Sequence, residues 1–279
     1  MTKTLRHFDY YQIDAFTSRV FSGNPAAVVI LDAWLDDSTL AAIAAEHNLS
    51  ETAFIVPGEQ VHALRWFTPA CEVELCGHAT LASAYTLLYC RDGFSAPLRF
   101  STRHAGELGV DVADDMLWLD FPARPATPYT GDTDELETAL GARPRQWLAS
   151  SNLLAVFDNA SQVAALAPDL RALARYSART DLGFIVTAPA DHDEYDFVSR
   201  YFAPHHGVDE DPVTGSAHCT LAPYWGERLG KTELLGRQIS RRGGRVACRL
   251  AGERVHLGGH AARYAEGRLF LDPLEPDCS

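Results

Sequence analysis

The sequence predicts an α+β chain built from two similar halves. Strand-like and helix-like stretches alternate along all 279 residues without a low-complexity linker. One short pattern also occurs twice, in the same order. The first copy runs Phe67-Thr68-Pro69, Gly77-His78-Ala79, Thr80-Leu81-Ala82 and Tyr85, and the second runs Phe202-Ala203-Pro204, Gly215-Ser216-Ala217, Thr220-Leu221-Ala222 and Tyr224. A duplicated unit in each half accounts for the shared order. The proline-rich segment 121–129 marks the division. The expected domains are residues 1–122 and 123–279, with the final strand free to return to the first.

In the first half, residues 10–16 and 26–31 read as strands around a Ser22-Gly23-Asn24-Pro25 turn signal. Residues 37–46 read as a helix with Asp36 or Asp37 as N-cap. Residues 51–56 and 62–67 read as strands, and the Ala- and Leu-rich stretch 77–90 as a mostly buried helix. Residues 98–112 and 116–121 return to strand patterning. In the second half, 146–157, 183–187 and 197–202 look extended, and 169–178 looks helical. Residues 216–229 read as a helix in which Pro223 should cause a kink or a break. Residues 246–250, 254–257 and 268–271 close the chain as short strands.

A formal net charge of −13 argues against nucleic acid and anionic membranes as partners, since both require a basic surface. A local cluster of donors still allows a small anionic ligand. Residues 1–8 lack the apolar segment of a signal peptide, and no run reaches transmembrane length. A cytoplasmic location is therefore expected. The six cysteines (71, 76, 90, 219, 248 and 278) show no CxxC pair and read as reduced thiols.

In both halves a glycine opens an apolar helix just after a polar loop. A helix start presents unpaired N–H groups and partial positive charge, so it suits a carboxylate or phosphate. Two such starts facing across a cleft would hold a small anion without a basic side chain. Plain capping remains the alternative, because Asp211, Thr214 and Ser216 are ordinary N-cap types.

Four strings carry a stronger signal: DAFTSRVFSGNPAAVVIL from Asp14, LSETAF from Leu49, LRWFTPACEVELCGHATLASAY from Leu64, and RYFAPHHGVDEDPVTGSAH from Arg200. With these strings the chain resembles the PhzF-like phenazine-biosynthesis family of the diaminopimelate-epimerase-like superfamily. The likeness is greatest to members whose substrates are undefined. The resemblance implies two pseudo-symmetric domains, each a barrel-like sheet around a central helix, with the site between them. It implies an isomerase that uses neither metal nor organic cofactor and acts on a small carboxylate-bearing molecule, and it implies a homodimer. The acid/base glutamate of the SETAF-like motif falls on Glu51. The supporting histidine and aspartate fall on His78 and Asp211. Backbone donors fall around Gly77, Gly215 and Ser216, with Thr214 in the same loop and Asn24 as a further substrate contact.

Each assignment has a plainer alternative. Glutamates are usually solvated, His78 could be a polar loop residue, and Asp211 a cap. His78, near a helix start, is expected to stay neutral. Glu72 and Glu74 read as solvated, and residues 241–245 as a local basic turn. Racemases of the superfamily use two facing cysteines. Cys76 matches the first, but Pro212 stands where the second belongs, which leaves Cys76 as a small apolar filler. The rival functions are an amino-acid epimerase or racemase, and a non-enzymatic binding or scaffolding protein that keeps the fold.

Overall fold

The computed structural model describes residues 5–272. The first half comprises β1 (Arg6–Ala15), β2 (Asn24–Ile30), α1 (Asp37–His47), β3 (Glu51–Val56), β4 (His62–Phe67), β5 (Glu72–Val73), α2 (Gly77–Cys90), β6 (Leu98–Thr102), β7 (Glu107–Ala113) and β8 (Met116–Pro122). The second comprises β9 (Thr127–Pro128), α3 (Asp134–Leu140), β10 (Gln146–Ala149), β11 (Leu153–Val156), α4 (Ala160–Ala165), α5 (Leu170–Thr180), β12 (Phe184–Pro189), β13 (Phe197–Phe202), α6 (Gly215–Leu229), β14 (Glu233–Gln238), β15 (Gly244–Ala251), β16 (Arg254–Gly259) and β17 (Ala261–Leu271). A 3-10 turn, Pro204–His206, precedes α6.

Strand pairing repeats between the halves. β1 and β2 are antiparallel, β2 and β3 parallel, β3 and β4 antiparallel, β4 and β6 parallel, and β6, β7 and β8 antiparallel in turn. The sequence β10, β11, β12, β13, β14, β15, β16 repeats those directions step for step. The halves join where β8 pairs antiparallel with β16. The last strand, β17, runs back along β1.

Each half wraps its sheet around one apolar helix. In α2, Gly77 to Ala84 are all buried, as are Thr86 and Leu87. Each fully buried leucine there contributes roughly 1.5–3 kcal/mol. Hydroxyls in this helix bond to its own carbonyls, as Thr80, Ser83 and Thr86 do with the residue four earlier, so burial leaves them satisfied. In α6, Trp225 stacks on Phe197 of β13 at 5.9 Å.

Two expectations are corrected. Of the kink or break expected at Pro223, the break is absent, since α6 is helical from Gly215 to Leu229. The carbonyl its missing N–H leaves free, that of Cys219, accepts from the backbone N–H of Arg124 at 2.9 Å. The segment joining the halves thus makes the proline tolerable. The TLA strings also sit at different depths, three residues after Gly77 but five after Gly215. The glycines mark corresponding positions and the TLA strings do not. The short elements β5, β9, α3 and α4, and the strand β14, had no expectation. Cys278 and residues 1–4 lie outside the described residues.

Candidate active site

Strand and helix ends bring Asn24, Glu51, His78 and Asp211 together. Asn24 and Glu51 start two parallel strands, His78 is in the first turn of α2, and Asp211 lies in the loop before α6. Asn24 is fully buried. Its Nδ2 donates to Asp211 Oδ1 at 2.8 Å and to the Val213 carbonyl at 2.9 Å, and lies 3.1 Å from His78 Nδ1. An amide carries two hydrogens, so the two oxygen acceptors take both. Ser50 donates to Asn24 Oδ1 at 3.3 Å and fixes the amide's orientation.

His78 connects two further groups. Its Nδ1 is 3.5 Å from Cys76 Sγ, and its Nε2 is 3.1 Å from Glu51 Oε2. The second contact is close enough for an ion pair but lies off the line of the ring N–H. Glu51 Oε2 and His78 Nε2 are therefore buried without a hydrogen-bond partner. The Glu51 side chain is 16% exposed, against 5% for His78, so Glu51 is the member that faces the outside. Cys76 is not simply a filler, because its thiol lies within hydrogen-bonding range of the imidazole. Cys219 is different, with its thiol turned to the Gly215 carbonyl inside α6.

The charges are coupled. Burial would lower the His78 imidazole, but the negative charge of Cys76 and Glu51 outweighs it and raises His78 well above the ordinary histidine range. Burial and the Glu51 charge push the Cys76 thiol up. The neutral His78 expected from the helix dipole is opposed by the negative charge of Cys76 and Glu51. Burial pushes Asp211 up to about 6, opposed by His78 and by hydrogen bonds from Thr214 and Asn24.

Both helix starts lack a side-chain cap. The N-cap positions are Cys76 and Thr214, and neither side chain bonds to the first turn. Thr214 instead turns its hydroxyl to Asp211 Oδ2. The starts abut, since a Cβ placed on Gly77 would lie 3.5 Å from Gly215 Cα. On one side Phe16 closes the gap, held at φ 61°, an unusual conformation for a bulky residue. On the other, a narrow crevice is lined by Leu75, Gly77, Phe121, Pro122, Arg124 and Ser216. All eight site residues expected from the sequence therefore lie in or beside one locus.

Sequence reasoning missed several supports. Gln238, at the end of β14, donates to the Asp211 carbonyl at 2.7 Å and accepts from the Thr214 N–H at 2.8 Å. No motif marks it. Arg242, expected in a plain basic turn, clasps the halves beside Asn24. It donates to Asp14 Oδ1 at 2.7 Å and to the Gly23 carbonyl at 2.9 Å. Glu72 is not solvated, since Arg65 and Arg103 both bind it. Ser50 could have been found from its place next to Glu51.

Comparison with known proteins agrees with this architecture. The profile of the phenazine biosynthesis-like protein family (PhzC-PhzF) matches residues 13–267. An "uncharacterized isomerase" of Pseudomonas aeruginosa is 52% identical over 264 residues, covering 94% of this chain and 98% of that protein. The human "phenazine biosynthesis-like domain-containing protein" is 41% identical, covering 92% and 96%. The crystal structure of a PhzF-family phenazine biosynthesis protein from Enterococcus faecalis superposes with a TM-score of 0.87 at 42% identity, covering 95% of this chain and all of that one. With a family match spanning most of its length and the paired half-barrels that go with it, the chain belongs to the phenazine biosynthesis-like (PhzC-PhzF) family.

Proposed function

We propose that this chain is an isomerase that moves a proton on a small carboxylate-bearing substrate, with Glu51 as the group that takes and returns it. The observation that carries this reading is the Glu51–His78 contact: two buried polar atoms 3.1 Å apart, each without a hydrogen-bond partner, beside two uncapped helix starts. Unused hydrogen-bonding capacity in a native site is costly and calls for an occupant. The helix-start N–H groups suit the substrate carboxylate. Glu51 removes a proton from one substrate carbon and delivers it to another, and protonated His78 stabilises the Glu51 carboxylate before the proton is taken and after it is returned. Asn24 and Asp211 act by tying the start of β2 to the loop before α6 beside His78. The step needs no cofactor, because no electrons leave the substrate. The isomerase names of the relatives support the class of reaction.

A second reading is an epimerase in which a thiol carries one of two protons. The Cys76–His78 contact favours it, and Pro212 in place of a second cysteine weighs against it. One experiment separates the two. Small carboxylates are incubated with the protein in deuterated water, and solvent hydrogen incorporation is followed by mass spectrometry. Glu51→Gln should slow exchange by roughly 10²–10⁴-fold, the usual worth of a general base, and Cys76→Ala should slow it far less. Full exchange in Glu51→Gln together with loss in Cys76→Ala would assign the chemistry to the thiol.

A further inference from the structure

A cleft of about 580 Å³ lies on the Phe16 side of the helix starts. Small-molecule sites usually measure about 300–1,000 Å³, so it has room for one ligand. Both halves line it. The turn after β1 supplies Arg19, while β14, β15 and the turn between them supply Arg237, Arg242 and Arg245. Four arginines in one cleft stand out in a chain of net charge −13. We propose that this cleft is a second ligand site, separate from the helix starts, and that it takes a small anion bearing two acidic groups.

The charges set the ligand's chemistry. Among the described residues, Glu194 is the one carboxylate in the lining. It pairs with Arg245 at 2.7 Å, and the buried Asp14 pairs with Arg242 at 2.7 Å. Neither Arg19 nor Arg237 has a carboxylate within ion-pair distance among the described residues. One uncompensated guanidinium therefore comes from each half, and two acidic groups on one molecule answer both. A guanidinium binds a carboxylate or a phosphate through paired N–H donors. The net negative exterior repels anions at a distance, so the attraction rests on this local cluster.

The second half holds its side of the cleft in advance. Arg237 and Arg245 are direct partners across the β14–β15 ladder. Each guanidinium sits over the ring of Tyr195, at 5.2 and 5.3 Å from its centroid. That ring is buried, and its hydroxyl donates to Glu194 at 3.0 Å. Resting on a fixed ring limits the freedom these long side chains lose when a ligand binds. Phe16 lines the inner end of the cleft, with its ring 3.8 Å from a Cβ placed on Gly215, so it stands between this site and the helix starts. Its carbonyl accepts from the Arg245 N–H at 3.1 Å, which ties the end of β1 to β15. A ligand bridging Arg19 and Arg237 adds another tie between the halves. The assignment does not depend on how Glu51 acts.

Calorimetric titration at low ionic strength tests the site without any substrate. Pyrophosphate and glutarate each carry two acidic groups, and acetate, with one, is the control. Wild-type protein should bind at least one of the two-group anions roughly tenfold or more tightly than acetate, and the tighter of the two tells phosphate from carboxylate as the ligand's acidic group. Arg19→Gln and Arg237→Gln should each weaken that binding roughly tenfold, the usual worth of a hydrogen bond to a charged group. Gly77→Ala, which alters the helix starts, should leave it unchanged. Arg143→Gln removes the same charge from an exposed residue outside the cleft and should also leave it unchanged. Thermal unfolding without ligand confirms that the variants are folded. Binding of neither two-group anion by the wild type overturns the site. So does full affinity in the folded Arg19→Gln/Arg237→Gln double variant, or equal weakening by Arg143→Gln, which reduces the effect to net charge. Loss of binding in Gly77→Ala with none in Arg237→Gln assigns the anion to the helix starts and overturns the site as well.

Discussion

Asn24 and Asp211 are 187 residues apart in the chain and 2.8 Å apart in the fold. This hydrogen bond, fully buried on the Asn24 side, ties the start of β2 in the first half to the loop before α6 in the second. His78 Nδ1 lies 3.1 Å from the same amide.

Removing that amide should be expensive. Asn24→Ala strips a donor from the buried Asp211 carboxylate and from the Val213 carbonyl. A buried acceptor left unpaired costs about 1–3 kcal/mol, and more when charged. Urea unfolding should show a loss of roughly 3 kcal/mol. A loss below about 0.5 kcal/mol would show that water replaces the amide and that the tie is dispensable.

Asp211 should write a pH dependence into stability. Its carboxyl is raised from 3.8 to about 6, mainly by burial, so the folded state binds this proton more tightly than the unfolded chain. The resulting stabilisation is fully present below pH 3.8 and is lost as pH rises through about 6. Over that window the wild type should lose up to roughly 3 kcal/mol relative to Asp211→Asn, by the linkage of about 1.4 kcal/mol per pH unit. Unfolding midpoints measured from pH 4 to pH 7 check this. Parallel curves for the two proteins would mean that the aspartate is effectively solvated.

Gly77 offers a separation of folding from binding. A Cβ there would meet Gly215 Cα at 3.5 Å and Phe121 at 3.6 Å, both ordinary contact distances. Gly77→Ala should therefore fold with stability unchanged within about 1 kcal/mol. The added methyl fills space between the helix starts, so sulfate or carboxylate binding should weaken roughly tenfold, about 1.4 kcal/mol. Calorimetric titration of both proteins with sulfate gives the comparison. Equal affinity would place the anion site elsewhere.

The amino-acid sequence by itself determined most of the elements and singled out the candidate residues that the fold brings together. The strands Glu51–Val56 and His62–Phe67 and the helix Gly77–Cys90 were read at their observed limits. The signals there are local: apolar runs for the strands, and a glycine followed by alanine and leucine for the helix. Glu51, His78 and Asp211 were legible because each sits in a distinctive string. Tertiary structure alone decided how these residues act on one another. That Pro223 is tolerated depends on an N–H 99 residues away, at Arg124. The support from Gln238 and the Arg242 clasp carried no motif. The rise of His78 comes from Cys76 beside it and from Glu51, brought against it from β3, which together outweigh burial. Propensity and periodicity act over a few residues, whereas hydrogen bonds and charge act across whatever surfaces packing brings together. The chain thus specified its parts locally, and the closure of one half-barrel on the other brought them together.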